Sequence, residues 1–448
     1  MKTDKYRRLL SCCPSLLDAA DKTANDKNGA LQNNIPAQVT AYVTAPVLFC
    51  YVCYILDSVK KNNINRIFFL SRDGYILKQI ADIIIERKKL KIQTSYLYVS
   101  RYSLRNALYY KCETAEDFEN AGLFTGYTLK SAKNFLKRAG LNDCQRVEVY
   151  KEIGFSDDEN KDLGDSEYSA FCENIKNDPA LLCKIKNNSE NNYHNIMKYF
   201  EQSGLFEKGK IAVVDSGWMG TVQKTLTALV NGRTDENIIG YYFGLYRRED
   251  DNYKAFLFDV TDAYKYVPTF CNNLFECFCS APHGMTTGYR ECDGKIIPVL
   301  SDANAEMVKM AEIQTKTAVI FTEYACENEN YIPICKMRDI SAGLLKALMY
   351  KPDKQEAEIL GAFPFSDDVT EAKIQHLAGN CKGSISNILL PVRIIRKKKG
   401  KSIYPDKYIY WLYGSIVLTG CKPAWVYRLS VREWERLRLL RERRKLCR

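Results

Sequence analysis

Apolar positions along the 448-residue chain fall into short continuous runs and longer helical repeats. Four runs, 66–70 (RIFFL), 96–99 (YLYV), 211–214 (IAVV) and 238–245 (IIGYYFGL), lack the alternation of a half-exposed strand and fit strands buried on both faces. Residues 45–56 read as a mostly buried helix, and 75–87 carries Ile76, Ile80, Ile83 and Ile84 at helical spacing. A further helix follows Thr221 and runs through Leu229. Strand–turn–helix units repeated in this way predict an α/β core with a parallel sheet. Residues 106–208 are charged, loop-rich and helical in pattern, and read as an inserted cap. A hairpin fits 284–299, and helices dominate after Ala303. The expected division is a polar N-terminal segment, 1–35, an α/β core, 36–300, a helical region, 301–392, and a basic, aromatic tail, 393–448.

Charge changes the picture at the end of the chain. The net charge of +11 arises in the tail, where 17 Lys and Arg face 4 Asp and Glu, leaving 48 basic against 50 acidic residues elsewhere. A body so nearly neutral gives no footprint for nucleic acid, and the tail points at something anionic. Its 14 uncharged residues, 408–421, are too short to span a bilayer but include Trp411 and several tyrosines. They are flanked by the basic run 393–399 and by an Arg-rich end with Val431, Trp434, Leu437 and Leu440 on one side. This predicts peripheral docking on an anionic membrane surface; the competing reading is a tail packed on the body. No segment reads as a spanning helix of ~18–20 apolar residues or as an apolar leader, so the expected location is the cytoplasm, at the inner face of the cell membrane. The 17 cysteines are scattered, Cys50-x-x-Cys53 is the only C-x-x-C, and there are three histidines. Reduced, buried thiols are expected rather than disulfides or zinc.

Ligands of open α/β sheets bind beyond the carboxyl ends of the strands. Three segments have that placement: Ser71-Arg72-Asp73-Gly74-Tyr75, Ser100-Arg101 with Arg105 one turn on, and Asp215-Ser216-Gly217-Trp218-Met219-Gly220-Thr221. A helix N-terminus attracts phosphate through its free N–H groups, glycines admit an anion close to the backbone, and Thr221 adds a hydroxyl. A strand-end Asp suits sugar hydroxyls or a share in a metal. Taken singly, Asp73 and Asp215 also fit helix N-caps and the arginines fit an ordinary surface. Their joint placement at one sheet edge favours a site. A haloacid-dehalogenase phosphatase needs Asp-x-Asp at a strand end, one carboxylate as nucleophile and one as acid, and neither segment offers it.

The strand–DSGWMGT–helix segment resembles the phosphoribosyl-pyrophosphate loop of type I phosphoribosyltransferases, with FFLSRDGY in the place of the pyrophosphate loop. The set FFLSRDGYILK (68–78), YLYVSRYSLR (96–105), VVDSGWMGTVQKTL (213–226) and FECFCSAPHGMTTGY (275–289) resembles a group encoded in bacterial surface-polysaccharide clusters, often labelled predicted haloacid-dehalogenase-superfamily hydrolases. Their phosphoribosyltransferase-like module is understood to move a 5-phosphoribosyl group from phosphoribosyl pyrophosphate to a glycan. The resemblance spans 36–300. It implies a type I phosphoribosyltransferase-like sheet and Mg²⁺ carried by the pyrophosphate, with Asp73 contacting it indirectly or fixing Arg72. It further implies Arg72, Arg101 and Arg105 on the pyrophosphate, backbone N–H groups of 217–221 on the 5-phosphate, and Asp215 on the ribose diol. His283 then sits on the acceptor side as a base or a structural turn residue. The implied partners are a glycan acceptor, lipid-linked if the tail docks on membrane, and a phosphatase on another chain. One departure is Ser216, where the family carries a second acid. The alternatives are a hydrolase and a non-catalytic scaffold of polysaccharide assembly.

Overall fold

A computed structural model describes residues 2–26, 34–125, 130–152, 160–234, 237–327, 332–366, 374–407 and 409–446. Five strands, β1 (Arg66–Leu70), β2 (Gln93–Leu97), β3 (Ile211–Trp218), β4 (Ile239–Leu245) and β5 (Tyr253–Phe258), form one sheet in the order β2-β1-β3-β4-β5. Every neighbouring pair is parallel. The expected α/β core is therefore present, with three differences of detail. β2 begins at Gln93, because an edge strand tolerates polar Gln93, Thr94 and Ser95. β3 runs beyond its apolar part to Trp218, so Asp215 and Gly217 pair with Tyr242 and Gly244 of β4 rather than lying in a loop. β5 escapes the hydrophobic pattern because it follows the acidic turn 249–251 and carries Lys254.

Alternation along the central strands builds two cores. Ile67 and Phe69 of β1, Ala212 and Val214 of β3, and Tyr241 and Phe243 of β4 face one side. There they meet α3 (Ile35–Lys61) and α4 (Gly74–Arg87), which follow α1 (Asp4–Leu10) and α2 (Pro14–Ala24) in the chain. Phe68, Leu70, Ile211 and Val213 face the other side, against α5 (Arg101–Leu108), α6 (Pro179–Gln202) and α7 (Thr221–Val230). Each fully buried Phe contributes ~1.5–3 kcal/mol of transfer free energy, so RIFFL has no solvent-tolerant face. α3 is long and apolar enough to cross a membrane, against the sequence expectation, and 89% of its most apolar window is buried as a core helix.

Within 106–208, residues from Tyr109 and Phe118 through Phe135 and Phe171 to Ile185 form a core of their own. The short helix α8 (Asn272–Phe278) precedes a hairpin of β6 (Thr286–Cys292) and β7 (Lys295–Leu300). Asp293 and Gly294 form its turn at φ 50° and 74°, the left-handed pair that two-residue hairpins demand. Helices α9 (Ala305–Cys326) and α10 (Ile334–Met349) pack on the α3 side with α1 and α2. The N-terminal segment is thus part of the core: Tyr6, Leu10 and Leu16 are buried, and the Tyr6 hydroxyl donates to Glu356 at 2.7 Å.

The tail forms α11 (Leu390–Lys398), α12 (Leu412–Thr419) and α13 (Ala424–Leu446). The middle of its uncharged run, from Trp411 to Ile416, packs inward. Trp411 is fully buried and its indole donates to the Met349 carbonyl at 2.8 Å; Tyr413 donates to the Pro268 carbonyl. Ile416, Val431 and Leu439 join the main core. Replacing Trp411 with Ala is expected to cost ~3–5 kcal/mol in urea unfolding, and a chain ending at 392 is expected to lose cooperative unfolding. Unchanged midpoints in both would show the tail to be detachable.

Candidate functional site

The order β2-β1-β3 places a topological switch between β1 and β3, where a ligand crevice opens at the carboxyl ends of the strands. A cleft of ≈ 530 Å³ lies there. Ser71, Arg72 and Asp73 reach it from the end of β1, Ser100, Arg101 and Arg105 from the start of α5, and Asp215, Gly217, Trp218, Met219 and Thr221 from β3 and α7. Three segments far apart in sequence therefore meet in one cavity. The Ser71–Arg72 and Gly217–Trp218 peptides that border it are both cis.

Its centre is a carboxylate pair bridged by a serine. The Ser216 N–H donates to Asp215 Oδ1 at 2.9 Å, and the Ser216 hydroxyl donates to Asp73 Oδ2. Ser216 is 1% exposed, so this bridge lies beneath the cleft floor. Burial pushes both carboxyls above their ordinary range, and the Asp73 charge pushes Asp215 further. Arg72 opposes the shift at Asp73, and Arg101 opposes it at both. Neither Asp acts as an N-cap: Asp73 precedes α4 without a capping bond, and the residue before α7 is Gly220. Two acids held in this way have no structural use as caps and face the cavity.

Other expected residues sort by geometry. Gly74, Tyr75, Ser216 and Gly220 do not line the cleft. A Cβ on Gly74 would stand 2.7 Å from the Phe69 carbonyl carbon, so this glycine serves helix–strand packing. Gly220, at φ 65°, would drive a Cβ into the Tyr253 ring at 2.5 Å. Its expected role in phosphate approach is therefore replaced by the left-handed turn that starts α7. Ser100 caps α5 in a reciprocal box with Ser103 and donates to the Thr286 carbonyl at 2.6 Å. The Ser71 hydroxyl donates to the Val99 carbonyl at 2.9 Å, tying the ends of β1 and β2. His283 lines the cleft among Tyr75, Tyr96 and Tyr98, with Nδ1 2.8 Å from the Gly284 carbonyl and Nε2 2.8 Å from the Tyr96 hydroxyl. Nδ1 thus carries the hydrogen, Nε2 accepts, and burial lowers the ring's pKa. Both nitrogens are engaged, which fits the structural alternative for this histidine.

Glu276 was not foreseen among the site residues. It lines the cleft and accepts from the Trp218 indole at 2.6 Å. The signal is in the sequence: it is the one charge in FECFCSAPHG, a position that burial alone does not explain. Asp302, Asn304, Met307 and Phe365 close the far wall from the helical region, beyond the reach of strand-end reasoning. The described cysteines are all free, and burial pushes the Cys53 and Cys271 thiols up to about 12, as expected for inert interior sulfur. No protein-family model and no curated protein matches the chain.

Among the described residues no three or more His, Cys, Asp or Glu side chains are grouped to hold a metal. Asp73 lines the cleft beside Arg72, a placement compatible with a contact to Mg²⁺ carried by a diphosphate, since that ion commonly takes one or two carboxylates and completes its shell with phosphate and water.

The raised carboxyls set a sign for stability. The folded protein binds their protons more tightly than the unfolded chain, so their contribution is lost as pH rises from ~4 through the folded values. Asn at 215 keeps the acceptor for Ser216 and removes the charge. Asp215→Asn is expected to raise the melting temperature by about 2 °C near pH 7.5, with the gain vanishing toward pH 4. A variant less stable than wild type at every pH would refute the buried-charge account.

Proposed function

We propose that the protein is a glycan phosphoribosyltransferase, moving 5-phosphoribose from phosphoribosyl pyrophosphate to a sugar hydroxyl in surface-polysaccharide assembly. The observation that carries this reading is the convergence of Arg72, Arg101 and Arg105 on a cleft floored by Asp73 and Asp215, with the start of α7 at its edge. A diphosphate ester of a sugar asks for that combination: cations for the leaving group, an N-terminal helix turn for the monophosphate, and carboxylates for the ribose hydroxyls. Ser216 departs from the family's second acid in sequence, yet Asp73 supplies a second carboxylate in space, and Ser216 links the two.

In the proposed reaction the acceptor oxygen bonds to the ribose anomeric carbon as the bond from that carbon to the pyrophosphate oxygen breaks, and pyrophosphate leaves with the electron pair. Arg72 and Arg101 hold the charge that builds on the leaving group. The N–H groups of Thr221 and Val222, in the first turn of α7, receive the 5-phosphate. Asp215 orients the ribose diol, and the hydroxyl proton of the acceptor passes to Glu276, the cleft carboxylate left unassigned. Mg²⁺, when bound, would neutralise charge on the pyrophosphate. The far wall at Asp302 and Phe365 offers a carboxylate and a ring face to the acceptor sugar.

With Asp73 in the turn after β1 and Asp215 within β3, rather than together in Asp-x-Asp, the 5-phosphate is expected to survive transfer, and a phosphatase on another chain would remove it. The test is mass spectrometry of a synthetic glycan acceptor incubated with phosphoribosyl pyrophosphate, Mg²⁺ and the protein. The expected product carries a pentose with its phosphate. Arg72→Ala and Glu276→Gln are each expected to lower kcat/KM by about 10²–10³-fold. A dephosphorylated pentose made by this protein alone would favour the hydrolase reading. No pentose addition and no binding of phosphoribosyl pyrophosphate would favour the scaffold.

A further inference from the structure

We propose that α11 docks the protein onto an anionic lipid surface through Ile394 and Ile395, with Lys398, Lys399 and Lys401 supplying the attraction. The helix is inverted relative to what hydropathy favours. This helix buries its arginine and exposes its isoleucines: Arg393 is 0% exposed, whereas Ile394 and Ile395 are 45% and 54% exposed. Transfer free energies favour the opposite orientation. The rotation is fixed instead by aromatic rings. The Arg393 guanidinium lies 5.3 Å from the Tyr404 ring centroid and 5.5 Å from that of Trp434 on α13, and the Lys397 ammonium also lies 5.5 Å from Trp434. None of the three guanidinium nitrogens has a hydrogen-bond partner among the described residues, so the ring faces, with the charge of Glu435 nearby, are what hold it. Rolling the helix to hide the isoleucines would withdraw Arg393 from both rings. Their exposure is built into the packing.

Charge selects the occupant. Lys398, Lys399 and Lys401 are exposed, and none forms an ion pair among the described residues. Two adjacent exposed isoleucines followed within six residues by three unpaired lysines suit a surface with anionic headgroups above an apolar layer. A protein groove would satisfy the isoleucines without needing the lysines, and a nucleic acid would satisfy the lysines without needing the isoleucines. The membrane contact expected from the tail thereby moves from 408–421, where Trp411, Tyr413 and Ile416 are buried, to the outward face of α11. It stands independently of the transferase reading, because its test uses no sugar substrate.

The experiment is co-sedimentation of the full chain with phosphatidylcholine vesicles, with and without phosphatidylglycerol. Binding is expected only with phosphatidylglycerol and is expected to fall as salt is raised. Ile394→Ser with Ile395→Ser, and separately Lys398→Glu with Lys399→Glu and Lys401→Glu, are each expected to weaken it by about tenfold or more. These positions are exposed, so melting temperatures of both variants should match wild type and exclude misfolding as the cause. Binding that survives the isoleucine change but not the lysine change would overturn the insertion of this face. Absence of vesicle binding, with self-association in sedimentation velocity that the isoleucine change abolishes, would assign the face to a second copy of the chain and overturn the proposal.

Discussion

The site depends on β1 stopping at Leu70 while the parallel β3 runs on beside it, which sets an acid in the turn after one strand near an acid within the other. β1 and β3 are hydrogen-bonded in register from Arg66 and Ile211 onward, which brings the residues after Leu70 beside those after Val214. Asp73 and Asp215 are thereby confined near one another in a buried place, where two charges are costly and a proton is held tightly. Ser216 relieves part of that cost by donating to both. Arg72 and Arg101 relieve a smaller further part, and a phosphorylated ligand that engaged the arginines would redistribute the charge again. The free protein holds its carboxylates in an unfavourable state, as functional sites commonly do.

Much of this was legible in the sequence, for physical reasons that can be named. RIFFL and IAVV are apolar at every position because the sheet is covered on both faces, and such runs are readable without alignment. The strand-end segments then follow from the rule that ligands bind at carboxyl ends, and all three do reach the cleft. β5 was missed although Ala255 to Phe258 are all apolar, because the acidic turn before it and Lys254 within it make the segment look like a loop. The roles of Gly74 and Gly220 were misread for a related reason. A glycine in a strand–turn–helix segment looks the same whether it admits an anion or a neighbouring side chain, and only tertiary placement separates Phe69 and Tyr253 from a phosphate. Glu276 carried a signal as a lone charge in an apolar stretch, but its link to Trp218 joins two segments that sequence does not juxtapose.

The tail shows how composition misleads when charge and aromatic content are read apart from packing. Seventeen basic residues and an uncharged aromatic run suggest one membrane-facing element. The fold divides them. The aromatic run closes the main core through Trp411 and Tyr413, Arg393 is drawn into an aromatic sandwich, and the isoleucines beside it are turned outward. The same segment therefore serves stability with residues that look interfacial and presents to solvent residues that look like core.

The central claim is that the bridged carboxylates receive a phosphorylated ribose. Calorimetric titration of phosphoribosyl pyrophosphate with Mg²⁺ into the protein, in two buffers of different ionisation enthalpy near neutral pH, tests it most directly. The account predicts saturable binding with net proton release, because a raised carboxyl that comes to accept hydroxyl hydrogen bonds gives up its proton. It predicts that this release falls in Asp215→Asn. Absence of binding, or a proton count identical in wild type and variant, would contradict it.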